Sequence, residues 1–249
     1  MSASRKVSHR NPLGTETSGG TVADSNGTQL RVYLRVPELQ SQFAAYMATP
    51  TKARGYPPRE GQHSLIVEVA PALSIQRLMD VALTTVPTIE PGLLFVERQY
   101  GILEVHSSDP EELDRAGAAI LESISATAED QLIPKTLFCD IIENISDHHA
   151  VIINRSRDAS MIMPGMSLLV YEMEPALFAA IAANEAERVA PDVILVDISM
   201  IGAAGRIYLA GDTSAVVAAR DGVKAALDAI SARSLVRESP VALSRGLSN

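Results

Sequence analysis

Ser64-Leu65-Ile66-Val67-Glu68, with Pro71-Ala72-Leu73 close behind it, has a counterpart in Ser167-Leu168-Leu169-Val170-Tyr171, with Pro175-Ala176-Leu177 behind that. Two further blocks follow in the same order. Pro91-Gly92-Leu93-Leu94-Phe95-Val96 stands beside Pro191-Asp192-Val193-Ile194-Leu195-Val196, and Gly101-Ile102-Leu103-Glu104-Val105 beside Gly205-Arg206-Ile207-Tyr208-Leu209. Three blocks in one order, at a near-constant offset, make an internal repeat. The chain is read as two copies of one domain in tandem.

Periodicity assigns the elements within each copy. After Pro71, the residues Ile75, Leu78, Met79, Ala82 and Leu83 recur at helical spacing and mark one apolar face. A closing helix opens at Asp109 as N-cap, with Pro110 in the first turn and Glu112 as the capping-box acid. Its stripe is Leu113, Ala116, Ile120, Leu121 and Ile124. In the second copy Asp212 is the expected cap, and Val216, Val223, Leu227 and Ile230 form the stripe. The short apolar runs between are strands. Further strand-like sequence leads each copy: Leu30 to Val36 in the first, and Leu137 to Ile142, then Ala150 to Ile153, in the second. Each copy is thus strand, helix, strand, strand, helix behind a leading strand, an α+β layer of helices on a mainly antiparallel sheet. The expected boundaries are a tail at 1–27, copies at 28–130 and 131–232, and an extension at 233–249. Residues 1–27 hold almost no bulky apolar side chain and cannot offset the entropy of ordering, so a disordered tail is expected there. Ser231 to Asn249 lacks sustained periodicity.

Composition narrows the function. The 249 residues are 47% hydrophobic, enough for real cores, and no apolar run reaches the roughly 18–20 residues that span a bilayer. A formal net charge of −9 argues against a general nucleic-acid binder. Aromatics at 4%, with no tryptophan, leave little for base stacking. The single cysteine, Cys139, fits a reducing compartment and is expected as a small buried hydrophobe. No secretory signal is read behind Arg5, Lys6 and Arg10.

No catalytic constellation stands out, and no cofactor is expected. Asp147-His148-His149 is the best metal candidate. Neighbouring histidines on a strand point to opposite faces, so these residues are expected in a surface turn without a metal. Gly202-Ala203-Ala204-Gly205 lacks the Lys-Ser/Thr of a phosphate loop. Glu97-Arg98 is different: it lies between two strands, in Val96-Glu97-Arg98-Gln99-Tyr100-Gly101. At the same place the second copy has Asp197-Ile198-Ser199-Met200-Ile201-Gly202-Ala203-Ala204-Gly205, read as a longer loop with no arginine.

Gly205-Arg206-Ile207-Tyr208-Leu209-Ala210-Gly211-Asp212-Thr213-Ser214-Ala215-Val216 resembles the strand, turn and helix that follow the pore loop of bacterial microcompartment (BMC) shell proteins. Ser64 to Leu83 resembles the strand and helix that open the ordinary form of that domain. Here this segment follows an added leading strand, as in the circularly permuted form. With Phe95-Val96-Glu97-Arg98-Gln99-Tyr100-Gly101-Ile102-Leu103-Glu104-Val105-His106 in the first copy, the chain resembles the trimeric tandem-domain class of the α-carboxysome over about residues 28–230.

The resemblance implies a pseudohexagonal homotrimer that tiles into the carboxysome shell in the bacterial cytoplasm, beside hexameric and pentameric tiles. It also implies trimers that stack in pairs and a central pore that opens and closes. Glu97 and Arg98 would carry the gate. Gln99, Tyr100, Met200, Ile201 and Gly202 would edge the pore, and small anionic metabolites would pass through it. A membrane or nucleic-acid partner is not implied. The alternative is a trimeric regulatory protein that binds a small molecule between subunits without tiling; an enzyme is a third reading. Sheet formation separates the first from the second.

Overall fold

The computed structural model describes residues 27–49, 55–96 and 98–235. The first copy runs β1 (Gln29–Val36), α1 (Ser41–Met47), β2 (His63–Ala70), α2 (Ile75–Thr85), β3 (Glu90–Val96), β4 (Gly101–Ser107) and α3 (Pro110–Ser123). The second runs β5 (Lys135–Ile142), α4 (Asp147–Ser156), β6 (Ser167–Glu174), α5 (Phe178–Val189), β7 (Ile194–Ser199), β8 (Gly205–Gly211) and α6 (Thr213–Leu235). Each copy forms one antiparallel four-stranded sheet, ordered β1-β2-β4-β3 and β5-β6-β8-β7. The expected α+β class is what the chain adopts.

The pleat decides which side chains meet the helices. In the first sheet Leu65, Val67, Leu103 and Val105 pack under Ile75, Leu78 and Ala82 of α2 and Leu113, Ala116 and Ile120 of α3. The opposite face, with Val32, Leu34, Ile66 and Ile102, belongs to a larger core shared with the second copy. There Leu169, Tyr171, Ile207 and Leu209 pack with α5 and α6, while Leu168, Val196 and Ala210 face Ala150 and Ile153 of α4. The strands at the centre are buried on both sides over most of their length, which explains their largely apolar runs.

Four expectations change. Ala150 to Ile153 is not a strand but part of α4. Ser146, whose Oγ accepts from the His149 N–H, starts that helix, and four apolar residues were too few for a period to distinguish strand from helix. Asp147, His148 and His149 accordingly form its first turn, at the surface as expected but helical rather than an isolated turn. Asp109 caps α3 through the Glu111 N–H, but Glu112 does not close a capping box. Its carboxylate instead accepts from Ser107 Oγ and Thr88 Oγ1, and Ser107 Oγ takes the Asp109 N–H. Finally, Cys139 is only half-buried.

The joint between the copies is polar as well as apolar. Helix α1 has no side-chain cap of its own. Its first-turn donors go to the second copy: Gln40 N–H to Asn184 Oδ1 (2.8 Å), and Gln42 and Phe43 N–H to the Glu187 carboxylate (3.0 and 3.3 Å). The Tyr46 hydroxyl donates to the Ile198 carbonyl, 3.1 Å away.

Candidate functional site

Strand register places the two candidate loops on one footing. Gly101 pairs with Val96 and Ile102 with Phe95, while Arg206 pairs with Ser199 and Ile207 with Ile198. With Gly205 taken as the counterpart of Gly101, Ser199 matches Phe95 and Met200 matches Val96. The loops are then Glu97-Arg98-Gln99-Tyr100 and Ile201-Gly202-Ala203-Ala204, equal in length. The longer second loop read from sequence is therefore corrected. Asp197 and Ile198 lie inside β7 and are not the counterparts of Glu97 and Arg98. The same offset joins Pro71 to Pro175, Leu65 to Leu169 and Pro91 to Leu195, so the pairings of Pro91 with Pro191 and of Ser64 with Ser167 were out of register.

Both loops are pinned at their far root by a glycine. A Cβ on Gly101 would lie 2.1 Å from the Ala72 carbonyl oxygen, and one on Gly205 would lie 2.2 Å from that of Ala176. Only glycine lets these strands start so close to the chain entering α2 and α5. Arg98 and Gln99 are exposed, and Tyr100 is half-buried. Glu97 lies outside the described residues. In the second loop Met200 is buried and Ile201 half-buried, while Gly202 has a φ of +126°. Met200 thus belongs to the core at the loop's foot.

Charged residues not singled out as site candidates in the sequence belong to this end of the molecule. The Arg31 guanidinium lies 3.6 Å from the Tyr100 ring centroid, and its Nε donates to Glu68 Oε1 at 2.7 Å. Glu68 is almost wholly buried, and burial pushes its carboxyl above the ordinary glutamate range while Arg31 pulls it part of the way back. The available signal was a lone acid inside the apolar run Leu65 to Val69. In the second copy Arg206 stands 3.6 Å from the buried Asp197, which accepts from the Asp158 N–H. Among the described residues, no group of three or more His, Cys, Asp or Glu side chains is placed to hold a metal, and no helix is long and apolar enough to cross a membrane. A cleft of about 410 Å³ between the copies mixes Arg35 and Arg233 with Asp114, Glu129 and Glu185, a lining that favours neither sign of charge.

Residues 30–130 match the family described as the CsoS1D N-terminal domain. The chain is 41% identical over 207 residues to the carboxysome shell protein CcmP of Synechococcus elongatus, covering 83% of this chain and 95% of that one. It is 37% identical to the carboxysome shell protein CsoS1D of Hydrogenovibrio crunogenus, covering 83% and 99%. Among solved structures, the double-ringed trimeric shell protein MSM0271 from the RMM microcompartment is 61% identical, with a TM-score of 0.78 over 81% of this chain and 97% of that one. The fused permuted hexameric shell protein MSM0275 from the same compartment is 39% identical, also with a TM-score of 0.78, over 82% and 98%.

Proposed function

The chain belongs to the tandem-domain carboxysome shell proteins, and from that membership we propose that three copies close into a pseudohexagonal tile with a gated pore on its axis. Its role is structural, in the shell of a carboxysome-type microcompartment, and not catalytic. The 61% identity to a shell protein of the RMM microcompartment supports one tile geometry serving more than one kind of microcompartment shell.

One observation carries the ring: the joint inside the chain is half of a repeating joint. Val32 and Tyr46 of the first copy are 0% and 3% exposed beside the second copy. By strand and helix register their second-copy counterparts are Phe138 and Ile152, which are 53% and 64% exposed. On the other side, Phe178 to Glu187 of α5 are all buried. In α2 the matching surface bears exposed Gln76, Arg77 and Asp80, and Leu73 is 72% exposed where Leu177 is 0%. The bare β5–α4 face of one chain is thus shaped for the bare α2 of the next. Such a head-to-tail contact closes into a ring when the rotation between successive chains divides a full turn, and a third of a turn gives the trimer.

A ring of three turns one Arg98 into three. At about 6 Å apart, guanidinium groups repel by roughly 3 kcal/mol per pair at an effective dielectric near 20. Interleaved Glu97 carboxylates offset this in a closed pore. Swinging the side chains outward opens it, leaving Arg98 to draw in small anions such as sugar phosphates. The two arrangements then lie within a few kcal/mol, a gap that ligand binding or stacking of a second ring reverses. The exposure of Arg98 and Gln99 supports this reading.

The test is the double variant Glu97→Ala with Arg98→Ala. Light scattering should still report trimers, and electron microscopy should show only open pores. A closed pore in that variant would refute the gate assignment.

A further inference from the structure

Strand β1 carries a bulge: Leu30 and Val32 pair with the adjacent Val69 and Glu68, leaving Arg31 without an opposite residue. A bulge re-aims the side chain it carries. Here it turns Arg31 onto the face of Tyr100 at 3.6 Å, with Glu68 at 2.7 Å behind it. Glu68 Oε2 is buried without a hydrogen-bond partner, so the carboxylate has little besides Arg31 to balance its charge, and the guanidinium is held in one place. The Arg31 carbonyl accepts from the Leu132 N–H at 2.9 Å, which ties the same residue to the segment leading into the second copy.

The second copy repeats the bulge without this chemistry. Its unopposed residue, between Thr136 and Phe138, is Leu137. The counterpart of Tyr100 is Ala204, and Glu172, the counterpart of Glu68, is exposed. The ring, the cation and the buried acid therefore occur together only in the copy whose loop holds Arg98.

We propose that Arg31 is the positioning residue of the first-copy loop: it clamps the Tyr100 ring and so fixes the turn that presents Arg98. Gly101 is already seated against Ala72. Clamping Tyr100 beside it leaves Arg98 and Gln99 as the described residues free to rearrange, and release of the ring adds Tyr100 to them. As a statement about gating this rests on Arg98 lining a pore; as a statement about the loop it does not.

The full-length chain is compared with Tyr100→Phe, Tyr100→Ala, the pair Arg31→Leu with Glu68→Gln, and all three of the last substitutions together. Glu68→Gln keeps the first change from stranding a buried carboxylate. Hydrogen exchange of the amides of residues 98–101 is read beside the melting temperature. Tyr100→Phe keeps the ring face and should match the parent. Tyr100→Ala and the Arg31–Glu68 pair should each speed exchange at these amides by about fivefold, and the combination by no more than either alone. Melting of Tyr100→Ala should fall by no more than the about 2–4 °C that loss of one such contact accounts for. Exchange equal to the parent in Tyr100→Ala, loss in Tyr100→Phe as large as in Tyr100→Ala, or effects that multiply would each overturn the clamp. Electron microscopy of the same proteins separates the two ideas. A loop that loosens as expected but lies far from any axis keeps the clamp and removes the pore, whereas a loop at the axis with unchanged exchange does the reverse.

Discussion

Replacing Glu187 by alanine should loosen the joint between the copies by a calculable amount. Its carboxylate is buried and accepts from the Gln42 N–H at 3.0 Å, the Phe43 N–H at 3.3 Å and the Ser41 hydroxyl at 2.9 Å. Ser41 is exposed, so water replaces that bond at little cost, but Phe43 is buried and Gln42 half-buried. Hydrogen bonds to a charged group contribute about 1.5–3 kcal/mol each, and orphaned buried donors cost about as much. Discounting for water reaching Gln42, the loss should be roughly 2–4 kcal/mol. For a domain set of this size that is about 5–12 °C in melting temperature. Glu187→Gln keeps an acceptor and loses the charge, and should cost about 1 kcal/mol. Denaturant unfolding at one fixed protein concentration measures both, because assembly adds to apparent stability. A Glu187→Ala variant within about 0.5 kcal/mol of the parent would refute the capping argument, as would a Gln variant as weak as the Ala one. Helix α4 provides an internal contrast: it is capped by its own Ser146, so it needs no partner to hold its first turn.

Gly101→Ala and Gly205→Ala should each destabilise by about 2–3 kcal/mol, since the new Cβ meets a backbone oxygen that cannot rotate away, whereas Gly202→Ala, strained in φ but uncrowded, should cost about 1 kcal/mol; chemical denaturation ranks them. Ile152→Asp, on the bare face of α4, should leave the circular dichroism of the chain intact and turn trimers into monomers in light scattering. A surviving trimer would remove that face from the ring. The raised Glu68 carboxyl sets a pH slope. The folded chain keeps a proton that the unfolded chain has lost, so this contribution is full below the usual glutamate range and fades as pH rises through the folded value. The stability of the parent relative to Glu68→Gln should therefore be greater near about pH 4.5 than near about pH 7.5, and the opposite slope would count against burial as the cause.

The sequence was most legible where information is local. The stripe from Ile75 to Leu83, the Asp109 cap and the β-branched runs all act within a few residues, and each is where the fold has the element expected of it. Local signals failed where they were short or shared. Ala150 to Ile153 spans barely one helical turn, so only the Ser146 cap could have marked it as helix. Glu112 had the capping spacing but found Ser107 and Thr88 closer to hand. Aligning Pro91 with Pro191 followed a matching letter, while the hydrogen-bond ladder, which ties Pro91 to Val105 and Leu195 to Leu209, pairs Pro91 with Leu195.

Two copies and most of their α+β elements were readable from the chain alone, because hydrophobic period, capping chemistry and repeat spacing are written between near neighbours. The tertiary structure alone revealed that the loops are equal in length, that α1 borrows its cap from Glu187, and that Arg31 lies against Tyr100. Each of these joins residues dozens to more than a hundred positions apart. Strand register and side-chain packing bring such residues together, and neither leaves a trace in the order of adjacent residues.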